Sequence, residues 1–261
     1  VTASRSAGFY ATIARYYDSE HHDKDEDLPL YSEVADEAGG SVLIIGSGTG
    51  RLMLHLAAEG HDVHGIEMES AMLDRARLKR DASPGLADRV TFHFADALDP
   101  KLKIDEKFSL IIIPYNTFMH FLTLDTQLTL LKRAKAWLAE GGMIVIDLPN
   151  AGEAYSSLDS EAIILERTFL EHETGHLVMQ QSVSRLDRTE QNMEISWIYD
   201  EINGDGMVQR TIVPVTVHYF FLSEITLLLQ AAGFSLDTVY GDFDGSPFYD
   251  GCPRMIVLGR G

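Results

Sequence analysis

An unbroken aliphatic run, Val42-Leu43-Ile44-Ile45, passes directly into Gly46-Ser47-Gly48-Thr49-Gly50 and then into RLMLHLAAEG, whose apolar residues recur at helical spacing. A strand that is apolar at every position must be covered on both faces, as a central strand of a parallel sheet is. A strand, a glycine-rich turn and a helix in that order point to the α/β class. The alternation then repeats. Strands are expected over 41–46, 62–67, 90–95, 108–113 and 143–148. Between them, Gly60 supplies a C′ glycine, and ESAMLDRARLKRD reads as a helix with Ser70 as N-cap and Met72, Leu73 and Ala76 on its buried face. DTQLTLLKRAKAWLAEGG, over 125–142, reads as a long helix opened by Asp125 and closed by two glycines.

From Ile163 to Phe221 the pattern changes to four strand-like stretches separated by turn residues such as Asn203-Gly204-Asp205-Gly206. No helical spacing lies between them, so an antiparallel sheet inserted into or beside the α/β core is expected. A helix over 223–234 and two strands, SLDTVYG and RMIVLG, return to the core pattern.

Charge narrows the choice of partners. Lys plus Arg is 21 and Asp plus Glu is 40, a net charge of −19. An acidic field repels phosphate backbones and anionic headgroups, so neither nucleic acid nor a membrane surface is an expected partner. The opening segment, VTASRSAGFYATIARYYD, has no apolar signal core, and a cytoplasmic location is the expectation. A single cysteine, Cys252, excludes an intrachain disulfide framework, and no metal site is expected. The stretch from Glu20 to Asp27, with two histidines, reads as a solvated loop.

Four features fall at the carboxyl ends of consecutive expected strands, where open α/β sheets bind ligands. The first is the loop Gly46-Ser47-Gly48-Thr49-Gly50, whose glycines allow close backbone approach. A dinucleotide fingerprint needs G-x-G-x-x-G; here the third glycine comes one residue early and Arg51 takes its place. The second is Glu67, placed to accept the two hydroxyls of a ribose. The third is Asp96-Ala97, where a carboxylate and an amide can read an adenine edge. The fourth is Pro114-Tyr115-Asn116.

Together, IGSGTG, IEMES, FADAL, the long helix ending in AEGG, MIVIDL and the closing strand–loop–strand resemble a class I S-adenosylmethionine-dependent methyltransferase over nearly the whole chain. The resemblance implies a Rossmann-like, mostly parallel seven-stranded sheet with helices on both faces, plus the inserted antiparallel sheet. It divides the chain into an N-terminal helical lid (1–40), a cofactor-binding core (41–155), a β insertion (160–221) and a closing helix with two core strands (222–261). It implies that Gly46, Ser47, Gly48 and Gly50 pass the methionine part of S-adenosylmethionine. Glu67 would hold the ribose, Met68 and Met72 border the adenine, Asp96 with Ala97 read its edge, and Pro114 and Asn116 close the site. Many members carry an acidic residue beside the first glycine; here those positions are Ile44 and Ile45, which leaves only backbone contacts there.

A narrower resemblance, to amino-sugar and antibiotic N-methyltransferases, rests on the Tyr before Asp in the opening helix, the His after strand four and the β-rich insertion. It implies that Tyr17 borders the sulfonium and the acceptor nitrogen, that His120 takes a proton, and that Tyr10 and Phe118 shape the acceptor pocket. Tyr10 and Tyr17 are seven residues apart and share one helix face. Trp197, Tyr199, His218 and Tyr219 of the insertion are expected chiefly in the core, with a pocket wall as the alternative. The expected activity is methyl transfer to a small molecule, at an amine nitrogen. An O-methyltransferase, a nicotinamide-dependent oxidoreductase and a non-catalytic S-adenosylmethionine-binding module are the alternatives. A homo-oligomer paired through the inserted sheet is also expected.

Overall fold

The computed structural model describes residues 8–152 and 162–261. The first seven residues of the expected lid, and the expected boundaries at 155 and 160, lie outside the described residues. Strands β1 (Val42–Ile45), β2 (Val63–Glu67), β3 (Val90–Phe94), β4 (Phe108–Ile113), β5 (Leu138–Pro149), β10 (Ser235–Tyr240) and β11 (Arg254–Arg260) form one seven-stranded sheet. Its order is β10-β11-β5-β4-β1-β2-β3. Only β11 runs antiparallel to its neighbours. All four residues of β1 are buried, as a central strand requires. Chain order reverses between β1 and β4, and the cleft outside their carboxyl ends is the topological switch point where such sheets take ligands.

Helices α1 (Phe9–Glu20) and α2 (Leu28–Ala38) precede the sheet; α3 (Arg51–Ala58), α4 (Ser70–Asp81), α5 (Leu124–Trp137) and α6 (Leu222–Ala231) complete it. Three helix ends differ from expectation. Thr123, not Asp125, caps α5: its hydroxyl accepts from the Thr126 amide, and Thr126 returns the bond. That helix stops at Trp137, and Gly141 and Gly142 lie within β5; a Cβ on Gly142 would come within 2.9 Å of the Ser109 carbonyl, so the glycine serves strand packing. Glu69 rather than Ser70 caps α4, accepting from the Ala71 amide.

The stretch from Glu20 to Asp27 is the expected loop in its middle, where His22, Asp23, Asp25 and Glu26 are exposed, but not at its two ends. Asp27 is fully buried and Glu20 nearly so. Asp27 takes both terminal nitrogens of Arg51, at 2.7 and 2.5 Å, and so ties the start of α2 to the start of α3.

Strands β6 (Ile164–Leu170), β7 (Leu177–Asp187), β8 (Asn192–Ile202) and β9 (Val208–His218) form a separate antiparallel sheet in sequential order. Alternation along them sends Val178, Tyr199, Val213, Val215 and Val217 into the main core. Tyr16 of α1 stacks on Tyr199 at 4.9 Å, and its hydroxyl donates to Glu201 at 3.0 Å. Helix α1 therefore lies between the small sheet and the large one. Burying Phe9, Ile13 and Tyr16 there contributes about 1.5–3 kcal/mol for each apolar side chain.

Candidate functional site

A cavity of about 850 Å³ opens at the carboxyl ends of β1, β2, β3 and β4 and extends under α1 toward the small sheet. That volume suits a nucleoside-sized ligand with room beside it. Its floor is the turn after β1. Gly46 has φ +77°, and a Cβ there would sit 2.5 Å from Thr117, so only glycine lets the turn pass beneath the loop after β4. Gly46, Ser47 and Gly48 line the cavity. Ser47 presents only its backbone side: its hydroxyl is buried against Gly65, where an added Cβ would lie 2.8 Å from it. Gly50 does not line the cavity. It caps α3 with φ +81° and lets α4 approach, with Ala76 Cβ 3.0 Å from where its own Cβ would be.

Glu67 closes β2 on the rim. One carboxylate oxygen accepts from the Gly48 amide and the other from the Glu69 amide, both at 2.8 Å. Burial raises its pKa, against the lowering effect of these backbone amides. Each oxygen keeps a further lone pair for a ligand hydroxyl. Asp96 accepts from the Leu98 amide at 2.8 Å and lines the cavity beside Ala97. Met68, largely exposed, and Met72, buried, complete this side.

The opposite side is aromatic. Tyr10 and Tyr17 both face the cavity from α1, their rings 6.4 Å apart. Burial holds both phenols protonated, well above the ordinary value. The Tyr10 hydroxyl meets His120 Nε2 at 2.8 Å. Burial alone pushes the His120 imidazole down to about 4, so it is neutral at pH 7. Pro114 lines the cavity, but Asn116 and Phe118 do not. Phe118 is fully buried against Phe220, 5.0 Å away, because the 3-10 turn Thr117–His120 directs it into the core. Asn116 turns away to accept from Arg254 at 2.8 Å.

The small sheet walls the far end through Asp187, Asn192, Glu194 and Thr216. Tyr199, His218 and Tyr219 are buried instead, and Trp197 packs against the core.

Two groups escape a reading of the sequence. Asp147, fully buried at the end of β5, accepts from the Tyr115 amide at 3.0 Å, the Tyr31 hydroxyl at 3.3 Å and the Arg254 guanidinium. It clamps Tyr115 (φ +44°) and Asn116 (φ +65°), two successive non-glycine residues in the left-handed region. A lone acid inside MIVIDL was the available signal. His21 is the other; its ring lies 4.3 Å from that of Tyr17 and reaches the Tyr115 hydroxyl. Tyr17 lies one helical turn before it, but Tyr115 is brought to it only by the fold.

Residues 42–142 match the methyltransferase domain family. The fold is that of solved S-adenosylmethionine-dependent methyltransferases. One, from Clostridium acetobutylicum, is 17% identical, with a TM-score of 0.78 over 97% of this chain and 98% of that one. The sugar N-methyltransferase KedS8 from a Streptoalloteichus species is 20% identical, with a TM-score of 0.71 over 92% and 90% of the two chains. Among curated proteins, phosphoethanolamine N-methyltransferase 1 of Triticum aestivum is 28% identical over 124 residues, 48% of this chain. The chain spans about a quarter of that relative's length, the matched share being 24%.

Proposed function

We propose that this chain, whose residues 42–142 match the methyltransferase domain family, transfers a methyl group from S-adenosylmethionine to an amine nitrogen of a small molecule. The observation that carries the reading is Glu67, whose carboxylate is anchored through both oxygens on the cavity rim with acceptor capacity to spare. The donor set suits a cationic nucleoside. Glu67 and Asp96 offer carboxylates on the rim, and the Gly48 amide that a pyrophosphate would need is already bound by Glu67. This favours the sulfonium ligand over a dinucleotide.

In this reading Glu67 would hold the ribose hydroxyls, Asp96 and Ala97 the adenine edge, and the backbone of Gly46, Ser47 and Gly48 the amino-acid part. S-adenosylmethionine supplies a methyl group on an already activated sulfur. The chain's own work is then alignment and exclusion of water, which can supply about 7–11 kcal/mol of a barrier. Tyr10 and Tyr17 keep their protons and add aromatic faces that suit a cation. His120 stays neutral and forms a polar pair with Tyr10 on the acceptor side. An imidazole with a pKa of about 4 is a weak base, which suits a neutral amine and not a hydroxyl that must lose its proton to react. The amino-sugar resemblance makes a hydroxylated amine of natural-product synthesis the acceptor class to test first.

Transfer of a labelled methyl group to a panel of amino sugars and simple amines tests the activity, with matched alcohols as controls. Calorimetry on Glu67→Ala tests the site: affinity for S-adenosylhomocysteine should fall at least about tenfold, the loss of one charge-assisted hydrogen bond. Unchanged affinity removes the ribose assignment, and methylation of alcohols alone removes the amine assignment.

A further inference from the structure

A second cavity of about 340 Å³ lies beside the first, walled by Glu20, His22, Asp23, Glu166 and Arg167 among others. Three residues line both cavities: His21, Lys24 and Tyr115. Tyr115 is the residue with φ +44° at the carboxyl end of β4, and the Asp147 carboxylate accepts its amide. The main-chain clamp fixes where the side chain starts but not where its ring goes. The ring is settled by its neighbours. Lys24 Nζ lies 4.4 Å from its centroid, and His21 meets it edge-on at 5.3 Å.

The hydrogen bonds of His21 leave its ring one arrangement. Nδ1 is 2.8 Å from the Tyr17 carbonyl, which can only accept, so Nδ1 carries the proton. In the neutral ring Nε2 is then the acceptor, and the Tyr115 hydroxyl donates to it at 3.1 Å. The groups facing this ring oppose a positive charge on it. Burial comes first, followed by Arg167, Lys24 and Arg51; the Tyr17 carbonyl works the other way, and the net result is a pKa of about 4. Glu20 Oε1, at 3.9 Å from Nε2, belongs to the nearest carboxylate and already accepts from Gln180, while its Oε2 accepts from the Tyr199 hydroxyl.

We infer that His21 is a positioning residue that locks the Tyr115 ring as the partition between the methyl-transfer cavity and the polar cavity beside it. It does so by joining the end of α1 to the loop after β4 through a fixed Nδ1–H tautomer. The partition keeps the contents of the polar cavity, water above all, away from the reacting atoms. The functional part of this inference rests on the methyl-transfer reading; the tautomer and the lock do not.

The test has two arms on the full chain. In the first, nitrogen NMR of histidine-labelled protein without ligand follows His21, assigned with His21→Gln. The Nδ1–H form should persist unchanged between about pH 5.5 and 8, the range in which an ordinary imidazole titrates. An Nε2–H form, or titration within that range, overturns the lock whether or not methyl transfer is ever found.

The second arm separates the two hydrogen bonds. His21→Gln carries a carbonyl near the Nε2 position and keeps an acceptor for Tyr115. His21→Asn keeps only a donor toward Tyr17. Tyr115→Phe removes one oxygen and little else, and serves if the His21 variants fold poorly. His21→Asn and Tyr115→Phe should each lower kcat about 10- to 100-fold, the cost of misplacing a group at a reacting centre. KM for the donor should stay within about twofold, His21→Gln should recover most of the rate, and the Asn–Phe double variant should be no worse than either single one. Equal losses in His21→Gln and His21→Asn, or additive losses in the double variant, overturn the inference.

Discussion

Asp147→Asn is the most revealing single substitution, because one carboxylate holds three elements at the mouth of the site. Asp147 is fully buried, and the Arg254 side chain is only 14% exposed. One carboxylate oxygen accepts from the Arg254 guanidinium; the other accepts from the Tyr31 hydroxyl and the Tyr115 amide. Asparagine has the same shape but one acceptor oxygen. Turned toward Arg254, it sets its own N–H groups against those of Tyr31 and Tyr115. Turned the other way, it sets them against the guanidinium. Either way a buried cation loses its counter-charge, which costs about 3–5 kcal/mol. Against a total stability of about 5–15 kcal/mol that is a large fraction. The expected fall in Tm is roughly 6–20 °C for a chain of this size. Urea unfolding followed by two probes measures it, with coincident transitions required before a free energy is quoted. The double variant Asp147→Asn/Arg254→Met removes the stranded cation and frees the asparagine oxygen for Tyr115. It should recover at least about 1 kcal/mol of the loss, since the penalty lies mainly in the unpaired charge. A single-variant cost below about 1 kcal/mol, or strictly additive costs in the double variant, would refute this account of the clamp.

Three further outcomes can be checked. His21 and His120 each have a pKa lowered to about 4 by burial, so the folded state binds fewer protons than the unfolded one between about pH 4 and 6.5; stability should decline as pH falls through that window, and His120→Asn should flatten the decline in a urea-midpoint series. Because His120 is already neutral well below pH 6, kcat should show no limb belonging to it between about pH 6 and 9, and the pH profiles of the parent and His120→Asn should be parallel there even if the rates differ. Gly50→Ala should cost about 1–3 kcal/mol in unfolding, from a left-handed φ and the crowding of Ala76, yet leave calorimetric affinity for S-adenosylhomocysteine within about twofold, since the residue lies off the cavity.

The order of strands and helices was legible because burial on both faces leaves an unmistakable pattern. VLII, FSLIII and MIVIDL lack the polar alternation of a half-exposed strand, and they are three adjacent strands of the sheet. The four strands of the insertion were legible from the turn residues that separate them and from the lack of helical spacing between those turns. The rim residues Gly46, Gly48, Glu67 and Asp96 were legible because each ends or follows a strand whose carboxyl end must face the cleft. Helix ends were less so: Thr123 outcompetes Asp125 because Thr126 can return its hydrogen bond, a choice that turns on two residues and not on periodicity.

Sequence by itself therefore determined the sheet, the cleft and which strand ends border it, since these follow from local burial patterns and chain order. Tertiary structure alone decided what faces the cavity from a distance. It buried Phe118 and turned Asn116 toward Arg254, although both follow β4 as the site residues do, and it brought in Asp187, Asn192, Glu194 and Thr216 from the small sheet. It also paired Tyr10 with His120 across 110 positions, His21 with Tyr115 across 94 and Asp147 with Arg254 across 107. Side chains that far apart leave no periodic trace; only the packed layers put one donor opposite one acceptor and remove the water that would otherwise serve both.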